Sequence, residues 1–121
     1  MTQKNEIGKD ILEQIMPGGV QRLEGGLKEI APDLSTYVLD FVFGSIYARP
    51  GLDIQTKQLL TITILATLGN ARPQLEYHIQ GALNLGIEKE KIIDAFLHLA
   101  PYAGFPAAMN AVNAAKAVFE K

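Results

Sequence analysis

The stretch that decides the fold is LLTITILATLGNARPQLEYHIQGAL, which runs from Leu59 to Leu83. Its first ten residues carry no charge and are apolar on nearly every side of a helix, which predicts a central buried helix over about residues 54–68. Gly69 and Asn70 are typical of a helix C-terminus, and Pro73 suits the first turn of the helix that follows. The stretch therefore predicts two consecutive helices, and the second carries one histidine, His78.

Helical periodicity continues on both sides of this stretch, and no segment shows the polar and apolar alternation that half-buried strands need. We expect helices at about residues 3–15, 20–30, 32–47, 54–68, 73–84, 88–100 and 105–119. We expect interruptions at Gly25-Gly26 in the second helix and at Pro101 with Gly104 near the end. Asp53 is expected to cap the helix that starts at residue 54, because its carboxylate can accept from free backbone N–H groups. The fold class is therefore all-α.

Composition narrows the classes of function. A chain of 121 residues predicts a single domain over residues 1–121, and a hydrophobic fraction of 48% is enough for a core. The 11 basic and 13 acidic residues give a formal net charge of −2, and no basic run is interleaved with aromatic residues, so we expect no nucleic-acid partner. The polar N-terminus lacks the apolar core of a signal peptide, and the longest uncharged apolar run is about half a membrane span. We therefore expect a soluble, cytoplasmic protein with no membrane partner.

The chain has no cysteine, which excludes disulfides, thiolate metal ligands and thiol peroxidase chemistry. Its two histidines are then the candidates for proton transfer, because imidazole changes charge near neutral pH. His78 shares a helix face with Gln74, Gly81 and Ala82, and small neighbours leave room for a ligand. A structural and a catalytic role both stay open for it on these residues alone. His98 lies in an apolar segment and is expected in the core or an interface, with a supporting role near a site as the alternative.

Other features also allow two interpretations. No H-x-x-x-H or H-E-x-x-H motif occurs, so we expect no metal site. Arg49, Lys57 and Arg72 lie near predicted helix starts and turns, where they are either ordinary surface charge or ligands for substrate carboxylates. Tyr102 and Phe105 either wall a pocket or pack at a kink. The last helix carries small residues that either pack tightly within one subunit or form a subunit interface, namely Ala107, Ala108, Ala111, Ala114, Ala115 and Ala117.

Three segments together resemble the carboxymuconolactone decarboxylase family: the stretch Leu59–Leu83, the turn ARPGLD at Ala48–Asp53, and YAGFPAA at Tyr102–Ala108. The resemblance covers about residues 31–119. It implies an all-helical, alkyl hydroperoxidase D-like bundle of about six to seven helices that assembles as a homo-oligomer, commonly a hexamer built as a trimer of dimers. Redox relatives place a C-x-x-C pair just ahead of the histidine, and the matching positions here are Ala71 and Gln74. The chain therefore resembles the branch without that motif.

The resemblance implies a cofactor-free decarboxylase of 4-carboxymuconolactone or a similar small lactone or carboxylic acid, a lyase of aromatic catabolism. His78 is the implied acid. Arg49 is the implied carboxylate anchor, because its turn matches the family's x-R-P-G-L-D pattern. Gln74, Tyr102 and Phe105 are the implied substrate-binding residues. Some decarboxylases of the family carry glutamate near the position of Gln74, which leaves the exact substrate open.

Two alternatives remain from the sequence. One is a divergent enzyme that acts on another small carboxylic acid or lactone. The other is an oligomeric scaffold or small-ligand-binding protein that kept the fold and lost the reaction. Gln58 stands where hydroperoxidase-like relatives often carry a glutamate of their proton relay, and an amide cannot relay protons at neutral pH. This residue argues again against the redox branch.

Overall fold

The computed structural model describes residues 2–121, and within them the secondary structure is helical, with no strand. The all-α prediction is confirmed. The elements are α1 (Gln3–Ile15), α2 (Gly19–Leu27), α3 (Pro32–Tyr37), a π-helix (Val38–Tyr47), α4 (Ile54–Leu68), α5 (Arg72–Asn84), α6 (Lys89–Ala103) and α7 (Phe105–Phe119). None of the helices in this part of the chain is long and apolar enough to cross a bilayer.

The helices group into two compact units, one up to Asp53 and one from Ile54 onward. We call them the N-terminal unit and the C-terminal unit. Each is described by itself, and the prediction of a single domain over residues 1–121 stays a prediction.

In the N-terminal unit, α1 packs against the π-helix with the two backbones in close contact at glycine residues. A Cβ atom on Gly8 would collide with the carbonyl of Leu39 and lie 3.1 Å from the backbone nitrogen of Gly44. A Cβ on Gly44 would in turn collide with the carbonyl of Lys4. Glycine is therefore required at both positions by the closeness of the two helices.

The π-helix replaces the second half of the α-helix expected over residues 32–47. The Ser45 hydroxyl donates to the carbonyl of Asp40, five residues earlier, at 2.9 Å. The wider turn brings Leu39, Phe43 and Gly44 to the buried face, whereas Phe41 is exposed. The sequence pattern predicted a helix here. Which of its residues face the core depends on the contact between this helix and α1.

In the C-terminal unit, α7 packs against α4, α5 and α6. The buried core of this unit comprises Ile62, Ala66, Leu75, Ile79, Ala82, Ile87, Ile92, Phe96, Leu99, Ala108, Ala111, Ala114, Ala115 and Val118. The tight-packing interpretation of the alanine face on α7 is confirmed, because Ala108, Ala111, Ala114 and Ala115 are buried within the chain.

The prediction that α4 is the central buried helix holds for one of its faces only in the single chain. One face, with Gln58, Ile62 and Ala66, is buried. The side chains of Leu60, Ile64 and Leu68 form another row, one helical turn apart, and are 47%, 57% and 62% exposed. Because the helix is apolar on nearly every side, its sequence does not show which row of side chains stays uncovered in the described chain.

The expected interruption at Gly25-Gly26 is wrong, and the one at Pro101 with Gly104 is right for Gly104 only. Helix α2 runs through Gly25-Gly26 to Leu27, because glycine lowers helix propensity by about 1 kcal/mol without forbidding the conformation. Helix α6 continues through Pro101 to Ala103 and stops at Gly104, whose φ of 98° lies in the left-handed region. Pro101 removes one hydrogen-bond donor from the last turns of the helix, and the backbone at Gly104 is what ends it.

Candidate functional site

The two elements of the Leu59–Leu83 stretch bring Gln58 and His78 together. Helix α4 packs against α5, and the Gln58 side chain is fully buried on the face of α4 that faces the core. Its Nε2 donates to the backbone carbonyl of His78 at 2.7 Å and lies 3.1 Å from Nδ1 of the His78 ring. A polar pair twenty residues apart in sequence is thereby held inside an apolar unit.

The imidazole of His78 is partly buried, and this burial lowers its pKa from 6.5 to about 4. The ring is therefore neutral at pH 7. The Tyr77 ring meets it edge-on, with the centroids 5.3 Å apart and the planes at 77°. Gln58 engages Nδ1, so Nε2 is the ring nitrogen that this amide leaves for a ligand.

The structure places the other predicted site residues as follows. Gln74 is exposed in the first turns of α5, one helical turn before His78. Arg49 is exposed and belongs to the N-terminal unit, where its backbone N–H donates to the carbonyl of Ile46 at 3.2 Å. Tyr102 and Phe105, at the junction of α6 and α7, are 83% and 76% exposed.

His98 is exposed, so the expectation of a core position is wrong, and the interface alternative stays a prediction. The register of α6 explains this position, because Ile92, Phe96 and Leu99 occupy its buried stripe and His98 falls outside it. The His98 ring lies 5.7 Å from the ring of Tyr102, one turn later on the same helix.

A cavity of about 270 Å³ opens on the C-terminal unit between α6 and α7. It is mostly apolar and is lined by Leu97, Ala100, Phe105, Ala108, Met109, Val112 and Asn113. Phe105 lines this cavity, and His78 is not among the residues that line it. The structure pairs His78 with Gln58 and Tyr102 with His98.

The contact between Gln58 and His78 is the part of the candidate site that the sequence did not predict. One signal pointed to it: Gln58 precedes Ile62 and Ala66 by one and two helical turns, on the buried face of α4. A polar side chain on such a face needs a partner, because burying an unpaired amide costs free energy. Periodicity cannot say which residue the partner is.

Comparisons with a family model and with known proteins agree on one family. A model of the carboxymuconolactone decarboxylase family matches residues 32–117, which include both Gln58 and His78. The 4-carboxymuconolactone decarboxylase of Acinetobacter baylyi is 33% identical over 101 residues, covering 84% of this chain and 75% of the relative. The nitrosuccinic acid decarboxylase of Metarhizium robertsii is 30% identical over 111 residues, covering 88% and 72%. An uncharacterized 15.0 kDa protein of Paracoccus denitrificans is 31% identical over 94 residues, covering 77% and 70%.

Proposed function

The chain belongs to the carboxymuconolactone decarboxylase family, and we propose that it is a cofactor-free decarboxylase of 4-carboxymuconolactone or a similar small lactone or carboxylic acid. The observation that carries this proposal is the contact between the buried Gln58 amide and the partly buried His78 inside the family match. An oriented and partly buried imidazole suits this chemistry, since electrostatic interactions strengthen where water is excluded.

The names of two relatives point to one substrate class. In a carboxymuconolactone, the carbon that bears the leaving carboxylate adjoins the ring alkene, and that alkene is conjugated to the lactone carbonyl. In nitrosuccinic acid, that carbon carries a nitro group. Both acceptors can hold the electron pair that carbon dioxide leaves behind, and both place the negative charge on oxygen. We infer that this chain acts on a small carboxylic acid in which a carbonyl or nitro group can accept the electron pair that carbon dioxide leaves behind.

The reaction balances without a redox partner. The bond between carbon and carboxylate breaks, carbon dioxide leaves, and its electron pair moves through the alkene to the carbonyl oxygen as a dienolate. That pair then forms a new C–H bond with one proton, so no electron is gained or lost. The protein has to orient the substrate, stabilise the oxyanion and allow the proton to return. His78 is our candidate for the last two tasks, as hydrogen-bond donor and as acid.

The remaining residues are proposed as substrate ligands on chemical grounds. Arg49 offers a planar fork that suits a carboxylate, so Arg49→Lys should raise KM more than it lowers kcat. Gln74 lies one turn before His78 on α5 and carries an exposed amide that can bind a lactone or carboxylate oxygen. Tyr102 and Phe105 are proposed as apolar walls, with a hydrogen bond from the tyrosine hydroxyl.

We also propose that the active form is a homo-oligomer, a hexamer assembled as a trimer of dimers. The exposed row Leu60, Ile64 and Leu68 on α4 supports an assembly, because apolar side chains in a continuous row gain stability when another subunit covers them. The exposure of Tyr102 and Phe105 supports it too, since pocket walls need cover that this unit does not give them.

The experiment is a decarboxylation assay on purified protein, with 4-carboxymuconolactone and nitrosuccinate as separate substrates and ultraviolet absorbance as the readout. We expect turnover of one of them, and a fall of about 10²–10⁴-fold in His78→Gln, the range for loss of a general acid. Gln80→Met is the control, because Gln80 lies on the same helix but donates to Asn84 instead.

Turnover of neither substrate above the buffer rate would contradict the decarboxylase proposal and favour a binding or scaffold protein of the same fold. Full activity in folded His78→Gln would leave the decarboxylase in place and remove His78 from its mechanism.

A further inference from the structure

Two contacts fix the orientation of the Gln58 amide. The side-chain atom 2.7 Å from the His78 carbonyl oxygen must be a nitrogen, because a carbonyl oxygen only accepts hydrogen bonds. Turning the amide over would place its oxygen against that carbonyl, two acceptors in contact inside a buried site. The backbone of His78 therefore determines which way Gln58 points.

The orientation of Gln58 in turn determines where the proton of His78 lies. The same amide nitrogen faces Nδ1 at 3.1 Å, and an amide NH₂ group only donates. Nδ1 must therefore accept and carry no proton, which leaves the single proton of the neutral ring on Nε2. We propose that Gln58 is a positioning residue that holds His78 in the neutral Nε2–H tautomer, so that the histidine acts as a fixed hydrogen-bond donor.

The surroundings of the ring favour the same neutral state. Burial is the cause of the low pKa of His78, about 4. The charged side chains on the elements that pack against α5 are Lys57 on α4 and Lys116 on α7. On α5 itself, Arg72 and Glu76 pair with each other at 2.6 Å. An imidazolium would also need a proton on Nδ1, directed at the NH₂ group of Gln58.

This inference rests on the proposed function for its catalytic meaning, although the tautomer itself does not. It separates the two tasks proposed above for His78: the hydrogen bond to the oxyanion stays with His78, and the return of the proton to carbon passes from His78 to water. The neutral Nε2–H donates to the oxygen of the dienolate or nitronate that forms as carbon dioxide leaves. The proton that joins the carbon comes from water, because a neutral imidazole is a very weak acid. His78 then needs no second proton during turnover.

The tautomer can be measured on the wild-type protein without any substrate. Long-range ¹H–¹⁵N spectra of protein labelled in its histidines distinguish a ring nitrogen that carries a proton from one that does not. We expect a protonated Nε2 and a bare Nδ1 for His78 at neutral pH. A protonated Nδ1 would overturn the proposal, and this result does not depend on any variant folding.

Variants of Gln58 test the cause. Gln58→Glu replaces the donor facing Nδ1 by an acceptor, so Nδ1 should gain a proton and the pKa of His78 should rise by about two to three pH units. Gln58→Met removes the donor at similar volume, and a mixture of the two tautomers should appear. Gln80→Met is again the matched control and should keep the wild-type spectrum. An unchanged spectrum and pKa in folded Gln58→Glu would overturn the assignment.

The pH profile of decarboxylation tests the catalytic consequence. With His78 as a neutral donor, kcat should stay level between about pH 6 and pH 8, whereas a charged acid of low pKa would lose about tenfold per pH unit. Gln58→Glu should introduce a titration into this interval, which a merely structural role of Gln58 would not do. A wild-type kcat that falls tenfold per unit would overturn the donor role. Absence of any turnover would refute the proposed function, and the spectra would still decide the tautomer.

Discussion

Lowering the pH from neutral to mildly acidic should destabilise the fold through His78. Its folded pKa, about 4, lies below the value of 6.5 expected in the unfolded chain. Between these two values the unfolded chain binds more protons than the folded one, so the free energy of unfolding falls as the pH falls. The stabilisation is fully present above the unfolded pKa and is lost progressively down to the folded pKa.

The size of the effect follows from the two pKa values. A difference of about 2.5 units corresponds to about 3 kcal/mol over the full range, and about 2 kcal/mol of it should disappear between about pH 7 and pH 4.5. Urea denaturation at both pH values, followed by circular dichroism, measures the loss. The relevant quantity is the difference between wild type and His78→Gln, because glutamine does not titrate.

Other groups also titrate in acid, and their contribution to the free energy of unfolding cancels in the difference between wild type and His78→Gln. The pKa of the exposed Glu13 is lowered chiefly by the backbone N–H groups of Gly18 and Val20, so Glu13 adds to acid destabilisation in every variant alike. His98→Gln is the control for the removal of a histidine from an exposed position. If His78→Gln loses as much stability as wild type between the two pH values, the buried neutral histidine is not the cause, and the reasoning fails.

Three further outcomes are expected. Gly8→Ala should destabilise the protein by about 1–3 kcal/mol in urea denaturation, because the added methyl group meets the Leu39 carbonyl. In Gly25→Ala the added methyl group meets no atom within 4 Å, and this variant should be more stable by up to about 1 kcal/mol. Sedimentation should give a mass several times the 13.2 kDa of one chain. Ile64→Glu should lower the sedimenting mass toward that of the monomer while helical content is kept. A wild-type monomer at micromolar concentration would contradict the proposed oligomer. Dithiol-dependent consumption of peroxide should not exceed the buffer rate, since the chain has no cysteine.

Most helix boundaries could be predicted because local residues determine them. Helices α1, α4, α5 and α7 start and end within a residue of the expected positions. The turn at Gly69, with a φ of 78°, and the proline in the first turn of α5 are signals that act within a few residues of the chain. The π-helix was not predictable in the same way, because it depends on the backbone contact between α1 and residues 38–47, brought together only in the folded unit.

The candidate site shows the same limit. His78 was identified from its helix and its family resemblance, but its neutral state follows from burial and from a side chain on another helix. The exposure of Tyr102 and Phe105 also could not be read from sequence, since an apolar residue gives the same pattern whether its own chain or a neighbouring subunit covers it. Their role in substrate binding stays a prediction.

The missing cysteines and the amide at position 58 point to the same kind of chemistry. The redox relatives differ at these positions, where they often carry a glutamate of a proton relay and a C-x-x-C pair just ahead of the histidine. Here Ala71 and Gln74 stand at the cysteine positions, and the amide of Gln58 cannot take up a proton. A histidine whose Nδ1 accepts from a fixed amide has no route for passing a proton from one ring nitrogen to the other. Such a residue is poorly suited to a relay and well suited to hold one N–H bond toward a developing negative charge. Decarboxylation, in which the electron pair left on carbon moves to an oxygen, is a reaction that gains from that single donor.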